Sequence, residues 1–158
     1  MKTIELTQGQ VALVDDADYE ELSKHKWHAL WNKTTRSFYA AHTAYTNGKW
    51  KTVYMHRQIL DAQSGQHSDH RNHDTLDNQR ENLRCCTRSE NMQNMKPMGG
   101  SSQFKGVSWH RQHAKWQATI KHAGHRQHLG HFTDEQEAAR TYDTAARKLF
   151  GEFALINF

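Results

Sequence analysis

The sequence is short of cysteine, proline and long apolar runs. Its 158 residues include two cysteines, and these are the neighbours Cys85 and Cys86. Adjacent cysteines seldom form a disulfide and lack the Cys-x-x-Cys spacing of zinc knuckles, so we predict neither a disulfide nor a structural zinc. No apolar run approaches the roughly 20 residues that span a bilayer, and the N-terminus lacks the apolar core of a signal peptide. We therefore expect a soluble, cytoplasmic protein with no membrane partner.

Apolar residues are also scarce. They make up 35% of the chain, and the mean hydropathy is -1.01. This composition argues against one large core and favours small modules that depend on a partner. The formal net charge is +4 with histidine neutral. Because lysine and arginine alternate with aromatic residues and histidine, the composition suits phosphate and base contacts better than a membrane surface.

Glycine and proline divide the chain into two parts. The single proline and a Gly-Gly-Ser-Ser run both fall between residues 95 and 102. Such a composition is typical of flexible linkers, so we interpret residues 96–102 as a linker. The first domain is then predicted at residues 1–95 and the second at residues 103–158.

Residues 1–54 have the pattern of a small β-rich unit with a short helix after Asp15. The dipeptide Asn47-Gly48 lies between two strand-like runs and readily adopts the positive φ angles of a hairpin turn. Aromatic residues of these strands, such as Trp27 and Trp50, could stack on bases or form the core of the sheet. The pattern predicts another short helix at residues 58–61.

Polar residues that suit catalysis are concentrated between residues 68 and 94. Asp69 offers a hard oxygen ligand for a divalent cation, while the adjacent His70 has an ordinary pKa near neutrality that suits proton transfer. Because neighbours on a strand point to opposite faces, the two side chains can have separate roles. An Asn-rich and Asp-rich loop follows, and residues 82–86 then have the pattern of a returning strand.

A capping box follows the returning strand. Thr87 is placed to cap a first helical turn and Glu90 to bond back to it, which predicts a helix that starts at Asn91. Folding of the two strands and the helix onto one another would bring the Asn91 oxygen close to the Asp69 carboxylate. Two oxygen ligands with open positions suit Mg²⁺ or Mn²⁺.

The order and spacing of these residues resemble the HNH, or ββα-metal, endonuclease motif in its phage and intron homing form. The resemblance covers about residues 54–95. It implies that His70 is the general base and that Asn82 orients it, while Asp69 and Asn91 hold one Mg²⁺ or Mn²⁺. The implied reaction is hydrolysis of DNA phosphodiester bonds, which leaves a 5′ phosphate and a 3′ hydroxyl.

Each part of this motif alone is typical of a polar surface turn, and the joint arrangement is what favours a nuclease. The family commonly has a His-Arg pair ahead of its Asp-His pair, and His56-Arg57 stands at that point. The resemblance therefore implies that His56 lies near the active site, where we expect it to make a supporting hydrogen bond.

The second domain alternates apolar and polar residues as half-buried antiparallel strands do. Trp116, Ala118 and Ile120 would lie on one face of such a strand. Three strands are predicted at residues 104–110, 116–121 and 126–132. A capping box at Thr133 then predicts a helix with an alanine-rich apolar stripe, which Gly151 is placed to end.

This domain resembles the Apetala/ethylene-response-factor DNA-binding domain. The residues that carry the resemblance include Gly106-Val107, Trp116, Leu129-Gly130, Phe132, Glu137-Ala-Ala139, Thr141-Tyr142-Asp143, Ala145-Ala146, Gly151 and Leu155-Ile-Asn157-Phe158. The resemblance implies a three-stranded sheet with its polar face in the DNA major groove and the helix behind it. The implied DNA contacts are Lys105, Ser108, His110, Thr119, Lys121, Arg126 and His128, with Tyr142 on a phosphate. Gln117, Thr119 and His128 could read base edges.

Three of these contacts depart from the plant pattern, since Ser108, His110 and Thr119 stand where Arg, Arg and Glu are usual. The resemblance therefore carries over the fold of the domain and leaves the recognised DNA sequence open.

Together the patterns predict an α+β protein. A β-rich N-terminal unit leads into the ββα-metal motif, and a three-stranded antiparallel sheet packed on one helix follows. The predicted function is that of an HNH homing endonuclease that cuts double-stranded DNA in a bacterial or phage-infected cell. The alternatives are a non-catalytic DNA-binding regulator with a degenerate HNH scaffold and, less favoured, an RNA-binding protein. The sequence leaves open the DNA target, nicking against double-strand cleavage, and a monomer against a weak homodimer.

Overall fold

A computed structural model describes residues 1–97 and 99–158 of the chain. The described residues form four α-helices and four small antiparallel sheets of two or three strands, which confirms the predicted mixture of α and β structure. None of the helices in these two ranges is long and apolar enough to cross a membrane. The chain divides into two compact units, Met1–Arg88 and Ser89–Phe158. Met98, in the predicted linker, lies outside the described residues.

The strands of the first unit pair with their near neighbours in the chain. Its elements are β1 (Lys2–Glu5), β2 (Val11–Val14), α1 (Asp16–Leu22), β3 (His28–Asn32), β4 (Ser37–Thr46), β5 (Lys49–Tyr54), α2 (Met55–Ile59), β6 (His67–His70) and β7 (Leu83–Cys86). β1 pairs with β2, β4 lies between β3 and β5, and β6 pairs with β7. Asn47 and Gly48 turn the chain between β4 and β5 with φ angles of 52° and 76°, as this dipeptide predicts.

One apolar core ties these small sheets together. Leu22, Trp27, Met55 and Leu83 all belong to it, together with Val14. The indole N–H of Trp27 donates to the Leu22 carbonyl at 2.7 Å, so this buried ring satisfies its polar atom. Leu83 belongs to β7, which pairs with β6, the strand that carries Asp69 and His70. The predicted catalytic strand is therefore anchored in this core through its partner strand.

The second unit packs a three-stranded sheet on one long helix. Its elements are α3 (Arg88–Asn94, whose first residue closes the first unit), β8 (Val107–His110), β9 (Lys115–His122), β10 (His125–Phe132) and α4 (Glu135–Phe150). β9 is the central strand. Ala118 and Ile120 of β9 are buried in cores that also contain Ala139 and Ala146 of α4. The small alanine side chains allow the helix to lie close to the sheet.

The two helices predicted from capping boxes begin at different residues from those predicted. α3 begins at Arg88 instead of Asn91, because the residue after a capping residue is already the first of the helix. α4 is capped by Asp134 instead of Thr133. The Asp134 carboxylate accepts from the Glu137 backbone N–H at 2.8 Å, and its extended backbone directs the chain into the first turn.

Candidate active site and sheet face

β6 and β7 place the predicted catalytic pair on a short buried ribbon. In their antiparallel register Asp69 lies opposite Arg84 and His70 lies opposite Leu83. Asp69 and His70 are 7% and 6% exposed. Since burial of a charged or titratable group is costly unless it has partners, the neighbours of these two side chains decide what chemistry they can perform.

The Asp69 carboxylate forms a buried ion pair with Arg84. The Nε and Nη2 atoms of Arg84 donate to Oδ2 of Asp69 at 2.9 and 2.7 Å. Both side chains are almost fully buried, so the guanidinium offsets the cost of enclosing the negative charge. No pattern in the sequence assigns a role to Arg84. The signal that could have found it is its cross-strand position, which depends on the register of β6 and β7.

His70 lies in a cluster of aromatic and polar side chains. Its Nε2 atom is 3.5 Å from Oδ1 of the fully buried Asn78. The ring of His56 stands edge-on to it with centroids 5.0 Å apart, and Tyr39 lies 6.2 Å away. The structure thus places His56 beside His70, as the sequence analysis expects.

Both imidazoles of this cluster favour the neutral form. Burial, together with the neighbouring charges of His70 and Arg57, lowers the pKa of His56 to about 3. Burial also lowers the pKa of His70, against the opposing effects of Asn78 and the nearby carboxylates. A neutral imidazole has a free lone pair on one ring nitrogen and can accept a proton.

Asn82 holds together the polar loop between β6 and β7. Its Oδ1 accepts from the Asn72 backbone N–H at 3.0 Å, and its amide donates to the Asp77 carbonyl at 2.7 Å. The Asn78 N–H donates to the Leu13 carbonyl at 2.8 Å, which ties the same loop to β2. Asn82 therefore positions the loop that carries Asn78, the partner of His70. Its direct orientation of the base stays a prediction.

The predicted ligands Asp69 and Asn91 belong to different units. Asn91 lies on α3 in the second unit, and Asp69 lies on β6 in the first. Their shared role as metal ligands stays a prediction. A carboxylate and an amide oxygen are donors that Mg²⁺ and Mn²⁺ accept, so the residue types fit such a cation. A cation on Asp69 would have to share its carboxylate with Arg84.

The sheet of the second unit has an open face opposite α4. Ala118 and Ile120 are buried beneath the helix, and successive strand residues point to opposite faces. Cross-strand partners therefore share the open face, among them Lys121 with Arg126 and Thr119 with His128. The predicted DNA contacts placed on it are Ser108, His110, Gln117, Thr119, Lys121, Arg126 and His128. The structure thus brings seven of the nine predicted residues onto one face.

The other two predicted DNA contacts, Lys105 and Tyr142, have side chains that are held within the second unit. The Lys105 amine donates to the carbonyls of Gln93 and Met95, and burial lowers its pKa to about 8. Tyr142 is 3% exposed. Burial, with the charge of Asp143, raises its pKa to about 12. DNA contacts by Lys105 and Tyr142 stay predictions. The hydrogen bonds of Lys105 and the burial of Tyr142 do not favour them.

Two kinds of known protein match this chain. A family model described as HNH endonuclease matches residues 53–93. The AP2-like ethylene-responsive transcription factor PLT2 of Arabidopsis thaliana is 48% identical over 61 residues, which cover 37% of this chain and 11% of that relative. APETALA2-like protein 2 of Oryza sativa subsp. indica is 42% identical over 62 residues, which cover 39% of this chain and 14% of the relative. The chain therefore spans only a small part of the length of these relatives. It contains an HNH endonuclease match together with a segment similar to AP2-like DNA-binding proteins.

Proposed function

We propose that this protein is a metal-dependent DNA endonuclease of the HNH homing type, positioned on duplex DNA by the sheet of its second unit. The observation that carries the proposal is the buried pair of Asp69 and His70, inside the segment that matches the HNH endonuclease model. A carboxylate that can bind a cation, beside a proton acceptor, suits metal-dependent hydrolysis of a phosphodiester.

His70 acts as the general base of the reaction. Its neutral ring nitrogen accepts a proton from water, and the water oxygen attacks phosphorus. A bond forms between that oxygen and phosphorus while the bond to the 3′ oxygen breaks, and the leaving 3′ oxygen takes a proton from solvent water. The products are a 5′ phosphate and a 3′ hydroxyl. Asn78 and His56 hold the ring of His70 in place, and Asn82 holds the loop that contains Asn78.

Asp69 and Asn91 are the residues that would hold the divalent cation, Mg²⁺ or Mn²⁺. When bound, such a cation supplies stabilisation of negative charge on the phosphate and on the leaving oxygen. Arg84 keeps the Asp69 carboxylate in one orientation through its two hydrogen bonds.

The open face of the β8–β10 sheet positions the DNA. Lys121 and Arg126 supply charge for phosphates, while Gln117, Thr119 and His128 present polar atoms that can bond to base edges. Gln117 Nε2 already lies 3.0 Å from Nδ1 of His128. These two side chains therefore form one polar unit on the face, and DNA would meet them together.

One observation favours a second function, that of a non-catalytic DNA-binding regulator. The Asp69–Arg84 pair satisfies the carboxylate within the protein, as a purely structural ion pair would. In that case the HNH segment would serve as a scaffold, and the second unit alone would carry the function.

A nicking assay on supercoiled plasmid tests the proposal. The wild-type chain and a His70→Ala variant are incubated with the plasmid and Mg²⁺ or Mn²⁺, and supercoiled, nicked and linear forms are separated. Loss of the general base should slow cleavage about 100-fold or more. His67→Ala is the matched control, because His67 lies on the same strand and pairs with Cys86. It should cleave as the wild type does.

Equal cleavage by the His70→Ala and His67→Ala variants would contradict the role of His70. Salt-sensitive DNA binding without cleavage in either metal, over a broad set of DNA, would favour the regulator instead. The ratio of nicked to linear product would also report whether one strand or both strands are cut.

A further inference from the structure

Three histidines of the second unit converge on the open face of its sheet. His110 ends β8, His113 lies in the turn that follows, and His131 lies on β10. Each offers a ring nitrogen, and these three atoms lie within 4.8 Å of one another. We call this group the three-histidine cluster. It shares no residue with the candidate active site of the first unit.

A β-bulge in β10 brings His131 into the cluster. His128 pairs with Thr119, but Gly130 pairs with Ala118 and His131 with Gln117, so the register shifts between His128 and Gly130. With regular alternation His131 would point toward α4, opposite to His128. The extra residue turns His131 onto the open face instead. The irregularity in β10 is therefore what brings His131 close to His110 and His113.

The ring of His131 carries an unsatisfied polar atom. Its Nε2 is buried and has no hydrogen-bond partner among the described residues. The ring centroids of His110, His113 and His128 lie 5.0, 4.7 and 4.5 Å from that of His131. A buried nitrogen without a partner is costly, and a ligand that accepts its lone pair would remove the cost.

We propose that the three-histidine cluster binds one divalent transition-metal ion, and that Zn²⁺ fits it. Neutral imidazole is a preferred ligand of zinc, and three histidines with an open fourth position form a known type of zinc coordination. Nitrogens that are about 2.0–2.1 Å from one ion at tetrahedral angles lie about 3.4 Å apart. Because the three nitrogens lie within 4.8 Å of one another, they must close by up to about 1.4 Å to reach that spacing. His113 is exposed on a turn and can move this far.

The donor set distinguishes this site from the catalytic one. The proposed catalytic ligands are oxygen atoms, which favour Mg²⁺ or Mn²⁺, whereas imidazole nitrogen favours Zn²⁺, Ni²⁺ or Cu²⁺. His110 and His128 also stand among the predicted DNA contacts. A metal at the cluster would therefore lie on the surface that we propose binds DNA.

Zinc titration of the full chain tests the inference without DNA. Zn²⁺ is added in competition with a chromophoric chelator to the wild type and to His113→Gln and His131→Gln variants. Each variant should weaken binding of one Zn²⁺ equivalent at least 10-fold. His125→Gln is the matched control, because His125 is an exposed histidine at the start of β10, outside the cluster. It should bind zinc as the wild type does.

Unchanged zinc binding in both cluster variants would overturn the inference, and so would an equal loss in His125→Gln. If binding of the Zn²⁺ equivalent is lost only in an Asp69→Ala variant, the zinc site belongs to the first unit, and this result would also overturn the inference. Circular dichroism melts in EDTA check that each variant is folded, and the exposed His113 provides a change that should leave the fold intact. A Co²⁺ titration adds a second readout, since tetrahedral coordination by the cluster should give visible absorption that His113→Gln lacks.

Discussion

Arg84 and Asp69 show how one residue decides the properties of its neighbour. The carboxylate is buried, and its negative charge is tolerable because a guanidinium lies 2.7 Å away. The ion pair therefore has a structural role, because it stabilises the buried carboxylate.

Removal of Arg84 should destabilise the first unit strongly. An Arg84→Ala variant leaves the Asp69 charge buried without its cation, and we expect a loss of about 3–5 kcal/mol in the free energy of unfolding. Arg80→Ala is the comparison, because Arg80 pairs with Asp18 while its own side chain is 58% exposed. A pair of that kind should cost about 1 kcal/mol or less. Urea denaturation measures both values, and equal losses would show that burial of the pair does not matter.

The sequence points to Asp69 and His70 more readily than to the side chains that contact them. Asp69 and His70 can be predicted because adjacent residues carry the chemistry and the spacing of the segment is distinctive. Arg84 and Asn78 act through the register of β6 and β7 and through the path of a loop. Neither of these is encoded in a local pattern, so their contacts with Asp69 and His70 emerge only from the folded chain.

Among the elements, the turn before β8 depends on a single glycine. Gly106 has a φ of +77°, and a Cβ at this position would lie 2.0 Å from Cδ2 of Tyr142. The ring of Tyr142 therefore occupies the space that any other side chain would need. This contact joins the start of the sheet to the middle of α4.

A Gly106→Ala variant should destabilise the second unit by about 3 kcal/mol or more, since it combines backbone strain with a clash in the core. Gly124→Ala separates the two effects. Gly124 has a similar φ of +82°, but a Cβ there would meet nothing within 4 Å. It should cost only about 1 kcal/mol. Thermal melts of the two variants give the comparison, and similar melting temperatures would mean that the Tyr142 contact relaxes at little cost.

Sequence periodicity predicts most strands of the second unit but not the position of every side chain. β9 follows the predicted alternation, so Ala118 and Ile120 are buried as expected. β10 contains the bulge between His128 and Gly130, and from there on its alternation is reversed. A bulge is stabilised by tertiary packing, which a pattern of period two does not contain. His131 therefore lies on the open face, where regular alternation would not place it.

For the whole molecule, positive charge on the open sheet face should set how strongly DNA binding responds to salt. A Lys121→Ala variant should lower the slope of log binding constant against log salt by about 0.9 if it removes one phosphate contact. Lys148→Ala carries the same charge change on the exposed side of α4. It should leave the slope nearly unchanged. Fluorescence anisotropy with duplex DNA at several salt concentrations measures the slope for each variant. Equal changes in slope for the two variants would mean that the DNA does not bind at the open face.

The two cysteines of β7 give the molecule a natural attachment point for a fluorescent dye. Since neighbouring side chains of a strand point to opposite faces, Cys85 is exposed while Cys86 is buried. A thiol-reactive dye should therefore label the folded protein at a single native position, next to Arg84. If DNA reaches the first unit as the proposed function requires, the emission of that dye should change when DNA is added. The labelled protein keeps its native sequence.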